Sequence, residues 1–111
     1  MATPDPVARG DVFLVDLDPT RGHGIRKTRP CLVVSPDELN QHVRTFIVAP
    51  LTTGSHSYPF RVPCSFQGKH GHVVLDRIRT VDRDRLVRRL GTPPQAVLAT
   101  CLAVLQDMFA P

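Results

Sequence analysis

The chain has 111 residues, 41% of them hydrophobic, which suits one domain with a modest core and excludes a disordered tail. Basic residues outnumber acidic ones 14 to 10, and all of them except Lys27 and Lys69 are Arg, whose planar fork grips phosphate oxygens in pairs. A polyanionic partner and a solvated Arg-rich surface fit that composition equally, while the lack of Trp and the single Tyr exclude a broad aromatic ligand platform.

In chain order, residues 1–8 are polar, hold Pro4 and Pro6, and read as a flexible leader before a single domain over 9–111. No basic stretch runs into an apolar one there, so no signal peptide is expected; no run of about 20 apolar residues is long enough to span a membrane, and the expected compartment is the cytoplasm. Val12 to Val15 predicts a first strand. Asp18 to Gly24, with Pro19, Gly22 and Gly24, predicts a loop closed by the basic cluster Arg26, Lys27 and Arg29. Pro30 to Ser35 predicts a second strand. Ser35-Pro36-Asp37-Glu38 carries a helix start, with Ser35 as cap and Pro36 at the first helical position, and the helix is short because Asn40-Gln41-His42 ends it.

Thr45 to Leu51 and Tyr58 to Cys64 predict two further strands around a polar turn. A turn over Gln67 to Gly71 leads to the longest expected strand, His72 to Val81. Asp82 to Leu90 fits either a short helical turn capped by Asp82 or a twisted, Arg-rich edge strand. Thr92-Pro93-Pro94-Gln95 opens the clearest helix, whose stripe of Val97, Leu98, Cys101, Leu102, Leu105, Met108 and Phe109 must cover a sheet or a partner. Together these predict a mostly β fold with α elements: a small SH3-like antiparallel β-barrel with a short inserted helix and a C-terminal helix. Cys31, Cys64 and Cys101 are odd in number and lack a CxxC pair, so they read as reduced core residues.

Four segments resemble the MazF/PemK family of toxins from type II toxin–antitoxin systems. They are Arg9-Gly10-Asp11-Val12-Phe13-Leu14-Val15-Asp16-Leu17-Asp18-Pro19-Thr20; Thr28-Arg29-Pro30 running into Cys31 to Ser35; Ile47-Val48-Ala49-Pro50-Leu51-Thr52-Thr53; and Leu75-Asp76-Arg77-Ile78-Arg79-Thr80-Val81-Asp82. Any one string is weak, but four in order, spread over roughly residues 9 to 109, are specific. The resemblance implies a sequence-specific endoribonuclease that cuts single-stranded RNA without a metal or other cofactor. In that reaction the RNA's 2′-hydroxyl attacks the neighbouring phosphate, giving a 2′,3′-cyclic phosphate and a free 5′-hydroxyl, and translation and growth stop. It also implies a homodimer restrained by a cognate antitoxin whose acidic disordered tail mimics phosphates.

Such a reaction requires an acceptor for the 2′-hydroxyl proton, a donor for the leaving 5′-oxygen, and fixed positive charge at the phosphorus. The resemblance assigns catalytic roles to Arg29, as an electrostatic clamp because its guanidinium gives up a proton only at very high pH, and to Thr52, as a phosphate-oxygen ligand. Many relatives carry Glu where this chain has Gly24; another branch pairs a His with an Asp, and His23 and Asp76 match those two positions, while that branch's Arg is Val74 here. His23 is therefore the expected proton acceptor, with Asp76 orienting it or replacing it. Arg21, Gly22, Arg26, Lys27, Thr28, Thr53 and Arg77 are the expected substrate contacts, and strand alternation puts Arg77 and Arg79 on the face opposite Asp76, leaving Arg79 either in the groove or paired with a carboxylate.

His70-Gly71-His72 has two ring nitrogens in metal-ligand reach of each other but no third ligand at a fitting spacing, so a turn is the expectation and no metal site is assigned. His42 and His56 read as loop surface. The competing reading is a weakly active or non-catalytic binder of RNA, or of a topoisomerase as in the CcdB toxins of similar fold. CcdB-type poisoning relies on a C-terminal Trp-Gly-Ile, whereas this chain ends Met108-Phe109-Ala110-Pro111 and has no Trp.

Overall fold

The computed structural model of the protein describes residues 6–18, 27–54 and 57–111. The described strands and helices, in chain order, are β1 (Val12–Asp16), β2 (Thr28–Val33), α1 (Asp37–Asn40), β3 (Thr45–Thr52), β4 (Arg61–Phe66), β5 (Lys69–Val74), β6 (Arg79–Asp82), β7 (Leu86–Gly91) and α2 (Gln95–Met108). Every pairing is antiparallel, and the sheet runs β4-β5-β3-β2-β1-β7 with β6 beside β3. This is the mostly β fold with a short inserted helix and a C-terminal helix that the sequence predicts.

The sheet curls because β3 serves two partners along one edge. Thr45 to Val48 pair with β6, and Leu51 and Thr52 pair with β5, while β2 takes the other edge. Between β5 and β6 the chain makes a 3-10 turn over Leu75–Arg77. The single long strand expected over His72–Val81 is thus two strands with a corner, and buried Leu75 pins that corner to the core. At the far ends of the sheet, the Gln67 side-chain amide donates to the Leu90 carbonyl at 3.0 Å, tying the β4–β5 hairpin to β7.

β1 and the second half of β2, Cys31 to Val33, are buried on both faces, the physical reason that these stretches read as apolar runs. Val12 and Leu32 face a core shared with Ala49, Val73, Leu75 and Cys101 of α2. Phe13, Val15, Cys31 and Val33 face a second core with Phe46, Val48 and Val81. Val7, within the leader expected over 1–8, is itself buried in this second core.

Three local expectations change. Ser35 makes no capping bond to α1; its hydroxyl is buried, donates to Asn40 Oδ1 at 2.6 Å and accepts the Ile47 N–H, so it pins the helix to β3 instead. Thr92 likewise does not cap α2, since its hydroxyl donates to Asp11 Oδ1 at 2.9 Å. The turn expected over Gln67–Gly71 is only Gln67 and Gly68, both at positive φ as a two-residue hairpin turn requires, and Gly71 falls inside β5. Asp82 to Leu90 is both of its alternatives in succession: Asp82 accepts the Asp84 N–H at the start of a 3-10 turn, and β7 follows at the sheet edge.

Candidate active site

Strand register assembles the site. The β2–β3 ladder runs from Val33 opposite Val48 to Cys31 opposite Pro50, and Arg29 on β2 and Thr52 on β3 each lie two residues beyond its end. Thr52 in turn lies opposite His72 of β5. Residues directly opposite across a ladder project from the same face with Cβ atoms about 5 Å apart. Arg29 lines the same cleft as Thr52 and His72, and the three make a row across neighbouring strands.

Two clefts meet at that row, and Arg29 and Thr52 line both. The first, about 290 Å3, continues over Thr28, Thr53, Phe66, Gln67, Lys69 and His72. The second, about 410 Å3, is cationic: Arg61, Arg77 and Arg79 join Arg29 around Leu17, Pro50 and Val74. The strand alternation expected to set Arg77 and Arg79 on one face does not apply, because Arg77 lies in the 3-10 turn, but both border this cleft, and Arg79 is in none of the ion pairs Arg44–Asp84, Arg61–Asp76, Arg85–Asp16 and Arg89–Asp11. Beneath the row, burial pushes the Cys31 thiol up to about 12 against the pull of the Arg29 and Arg79 guanidiniums. A thiol in that state packs as a small apolar group and does not react.

Gly54 sets the geometry at the end of β3. Its N–H donates to Thr52 Oγ1 at 2.8 Å, which leaves the hydroxyl hydrogen of Thr52 to be given to a ligand. Its carbonyl accepts from His72 Nδ1 at 3.1 Å. Gly71 is required beside it, because a Cβ there would stand 1.6 Å from the Thr52 carbonyl oxygen.

Asp76 lies off the row. Arg61 forks onto it, Nε to Oδ1 at 3.1 Å and Nη2 to Oδ2 at 3.2 Å, and that hydrogen bonding holds its carboxyl below the usual carboxylate range. Arg61 also lies over the Tyr58 ring at 4.8 Å. Thr28 and Thr53 border the first cleft, and Arg77 the second, while Lys27 is exposed just before β2 and its carbonyl accepts the Leu17 N–H. Arg21, Gly22, His23, Gly24 and Arg26 lie outside the described residues, as does His56. Arg61, Gln67, Lys69 and His72 are polar cleft residues that sequence reasoning passes over. Arg61 sits outside the family strings, Gln67 and Lys69 read as turn residues, and His72 reads as the start of a strand with no partner to mark it as functional.

Among the described residues no group of three or more His, Cys, Asp or Glu side chains comes together to hold a metal, and no helix is long and apolar enough to cross a membrane. A hydroxyl and a guanidinium thus share the boundary between a mixed cleft and a cationic one on a small curled antiparallel sheet. Residues 8–109 match the profile of the PemK-like, MazF-like toxins of type II toxin–antitoxin systems. The chain is 36% identical over 107 residues to the endoribonuclease PemK of Escherichia coli, covering 91% of this chain and 80% of that protein. It is 38% identical over 105 residues to the endoribonuclease toxin ChpB of E. coli K12, covering 88% and 90% respectively. The structure resembles the MazF chain of a MazE–MazF crystal structure from Deinococcus radiodurans, with a TM-score of 0.79 at 30% identity over 93% of this chain and 95% of that one. The chain belongs to the PemK/MazF family of toxins.

Proposed function

We propose that residues 9–111 form a metal-independent endoribonuclease that cleaves single-stranded RNA through the RNA's own 2′-hydroxyl, acting as the toxin of a toxin–antitoxin pair in the cytoplasm. The observation that carries the reading is that Arg29 and Thr52 together line both clefts. Arg29 presents a fork to two non-bridging phosphate oxygens and Thr52 donates its hydroxyl to one of them, so charge that builds on phosphorus meets donors already in position. Arg77 and Arg79 follow the RNA backbone along the cationic cleft, and Arg21, Gly22, Arg26 and Lys27 are the further substrate contacts that the family resemblance supplies. Thr28 and Thr53 border the strand on the other side. DNA, which lacks the 2′-hydroxyl, does not react.

The family's relatives support the reading: PemK and ChpB are named endoribonucleases, and the D. radiodurans toxin is bound to its antitoxin MazE. The partner of this chain is accordingly an antitoxin whose acidic disordered tail competes with RNA for the cationic cleft, and the active form is a homodimer. For proton transfer, His23 and Asp76 are the groups that the resemblance supplies. The forked bond from Arg61 occupies Asp76, which leaves an imidazole as the better acceptor.

Purified protein incubated with a long RNA in EDTA tests this. Cleavage at a short recurring motif, with 5′-hydroxyl ends and cyclic phosphate at the 3′ ends, is expected, together with sedimentation as a dimer. Products with 5′-phosphates, or none from wild type, would remove the reading.

A further inference from the structure

The reaction needs a group that takes the 2′-hydroxyl proton, and the described walls of the two clefts hold no carboxylate. The titratable groups lining the first cleft are Arg29, Cys64, Lys69 and His72. A guanidinium and an ammonium have no lone pair to offer, and burial pushes the Cys64 thiol up, so that it stays protonated. The second cleft offers only guanidiniums. His72 is the remaining described group that is able to accept a proton and shares a wall with Arg29 and Thr52.

Its ring is also set for that task. A carbonyl oxygen only accepts, so the contact between His72 Nδ1 and Gly54 O at 3.1 Å fixes the hydrogen of the neutral ring on Nδ1. The lone pair is then on Nε2. The same Gly54 holds Thr52 Oγ1 through its N–H, so one residue positions the phosphate ligand and the imidazole together. Histidine held by a backbone carbonyl on one nitrogen is the usual arrangement of a proton-transfer group that uses the other.

We propose that His72 is a catalytic residue of this chain, accepting the 2′-hydroxyl proton on Nε2; the assignment rests on the ribonuclease reading above. As the proton passes to Nε2, the 2′-oxygen forms its bond to phosphorus, and the bond from phosphorus to the 5′-oxygen breaks. The leaving oxygen takes a proton from water, and the imidazolium returns its extra proton to solvent. Nδ1–H stays on the Gly54 carbonyl throughout, so the ring does not turn over. Around it stand the Arg29 charge from β2, Thr52 from β3 and Thr53 just after it, the Cys64 thiol from β4, and Lys69 and His70 from its own strand, the last engaged with Ser65 Oγ at 2.6 Å. None of the charged neighbours competes as an acceptor.

The experiment is single-turnover cleavage of a long RNA in EDTA, across pH about 5 to 9, by wild type, His72→Asn, His23→Ala and Arg29→Ala. Asn keeps an N–H for the Gly54 carbonyl but takes up no proton, so the loop and Thr52 stay in place. In His72→Asn the rate is expected to fall by about 10²–10⁴-fold and to lose its rise with pH, while affinity for the same RNA methylated at every 2′-oxygen stays that of wild type. Added imidazole is expected to restore part of the rate to His72→Ala. Wild-type rate and pH profile in His72→Asn, with the rise lost instead in His23→Ala, would overturn the assignment and leave the ribonuclease reading standing. No cleavage by wild type would remove both.

Discussion

Arg29 and Thr52 lie 23 positions apart in the sequence, and the pairing of β2 with β3 brings them to the same two clefts. Replacing Arg29 by Ala removes the charged donor aimed at the developing anion and is expected to lower single-turnover cleavage by about 10²–10³-fold with an unchanged circular dichroism spectrum. Thr52→Ala loses a neutral donor and costs less; equal losses in the two variants would contradict the division of labour. Asp76→Asn separates two roles for that carboxylate. If Asp76 only holds Arg61, cleavage persists and RNA binding tightens slightly, because a guanidinium at the cleft edge has lost its counter-charge. Collapse of cleavage would make Asp76 the acceptor. The sign of its pH effect is also fixed: the native carboxyl titrates lower than in the unfolded chain, so its contribution to stability is full above about pH 4 and disappears as pH falls through the depressed native value. Melting temperatures of wild type and Asp76→Asn are expected to differ near neutrality and to converge in acid. Arg29 and Thr52 were legible because each sits inside a family string. The Asp76–Arg61 pair was not, since Arg61 lies 15 positions upstream with no local signal, and only the pairing of β4 with β5 brings the two together.

At the scale of elements, what the sequence hid was the corner. His72 to Val81 has the composition of one strand, and local propensity gives no reason to break it at Leu75. The break is a tertiary demand: β5 and β6 must both pair with one edge of β3 while the sheet curls. Gly71 is the companion signal, misread as part of a turn, since an isolated Gly in a strand marks a close backbone approach. Gly71→Ala would drive a Cβ into the Thr52 carbonyl and must part β3 from β5 at the active row. A loss of stability of about 3 kcal/mol is expected, with cleavage impaired even in the fraction that folds. A folded variant with native stability and activity would show that the two strands are not held this close. The strands themselves were legible where both faces are buried, as in β1, and blurred where polar residues carry the ends, as at the start of β2 and in β4.

Asp11 works at the same scale. It is buried, its carboxylate accepts from Arg89 at 3.0 Å, from the Thr92 hydroxyl at 2.9 Å and from the Ala8 N–H at 3.2 Å, and it thereby joins the start of β1 to β7 and to the approach of α2. Asp11→Ala leaves those donors with only water. Because Arg89 is 42% exposed and keeps much of its solvation, the expected loss is about 2 kcal/mol, below the cost of breaking a fully buried pair, and is read from the denaturant midpoint.

For the whole molecule, the proposed function divides recognition between the two clefts. The net charge of +4 alone predicts only general attraction to polyanions, but the fold gathers Arg29, Arg61, Arg77 and Arg79 into one cleft, from three separate stretches of chain. Guanidiniums on phosphates carry no base information, whereas the first cleft presents Thr28, Thr53, Gln67 and Lys69, which are donors and acceptors suited to base edges. Arg79→Ala is therefore expected to weaken binding to all single-stranded RNAs alike. The slope of log affinity against log salt should become shallower by about 0.7, the loss of one phosphate contact, and the cleavage motif should stay the same. Gln67→Ala is expected to do the reverse, altering the motif with the salt slope unchanged. Binding titrations over a salt series, run beside mapping of the cut sites, read both quantities for each variant. A shifted motif in Arg79→Ala, or an altered salt slope in Gln67→Ala, would show that the cationic cleft reads bases and that the two surfaces are not separate in function.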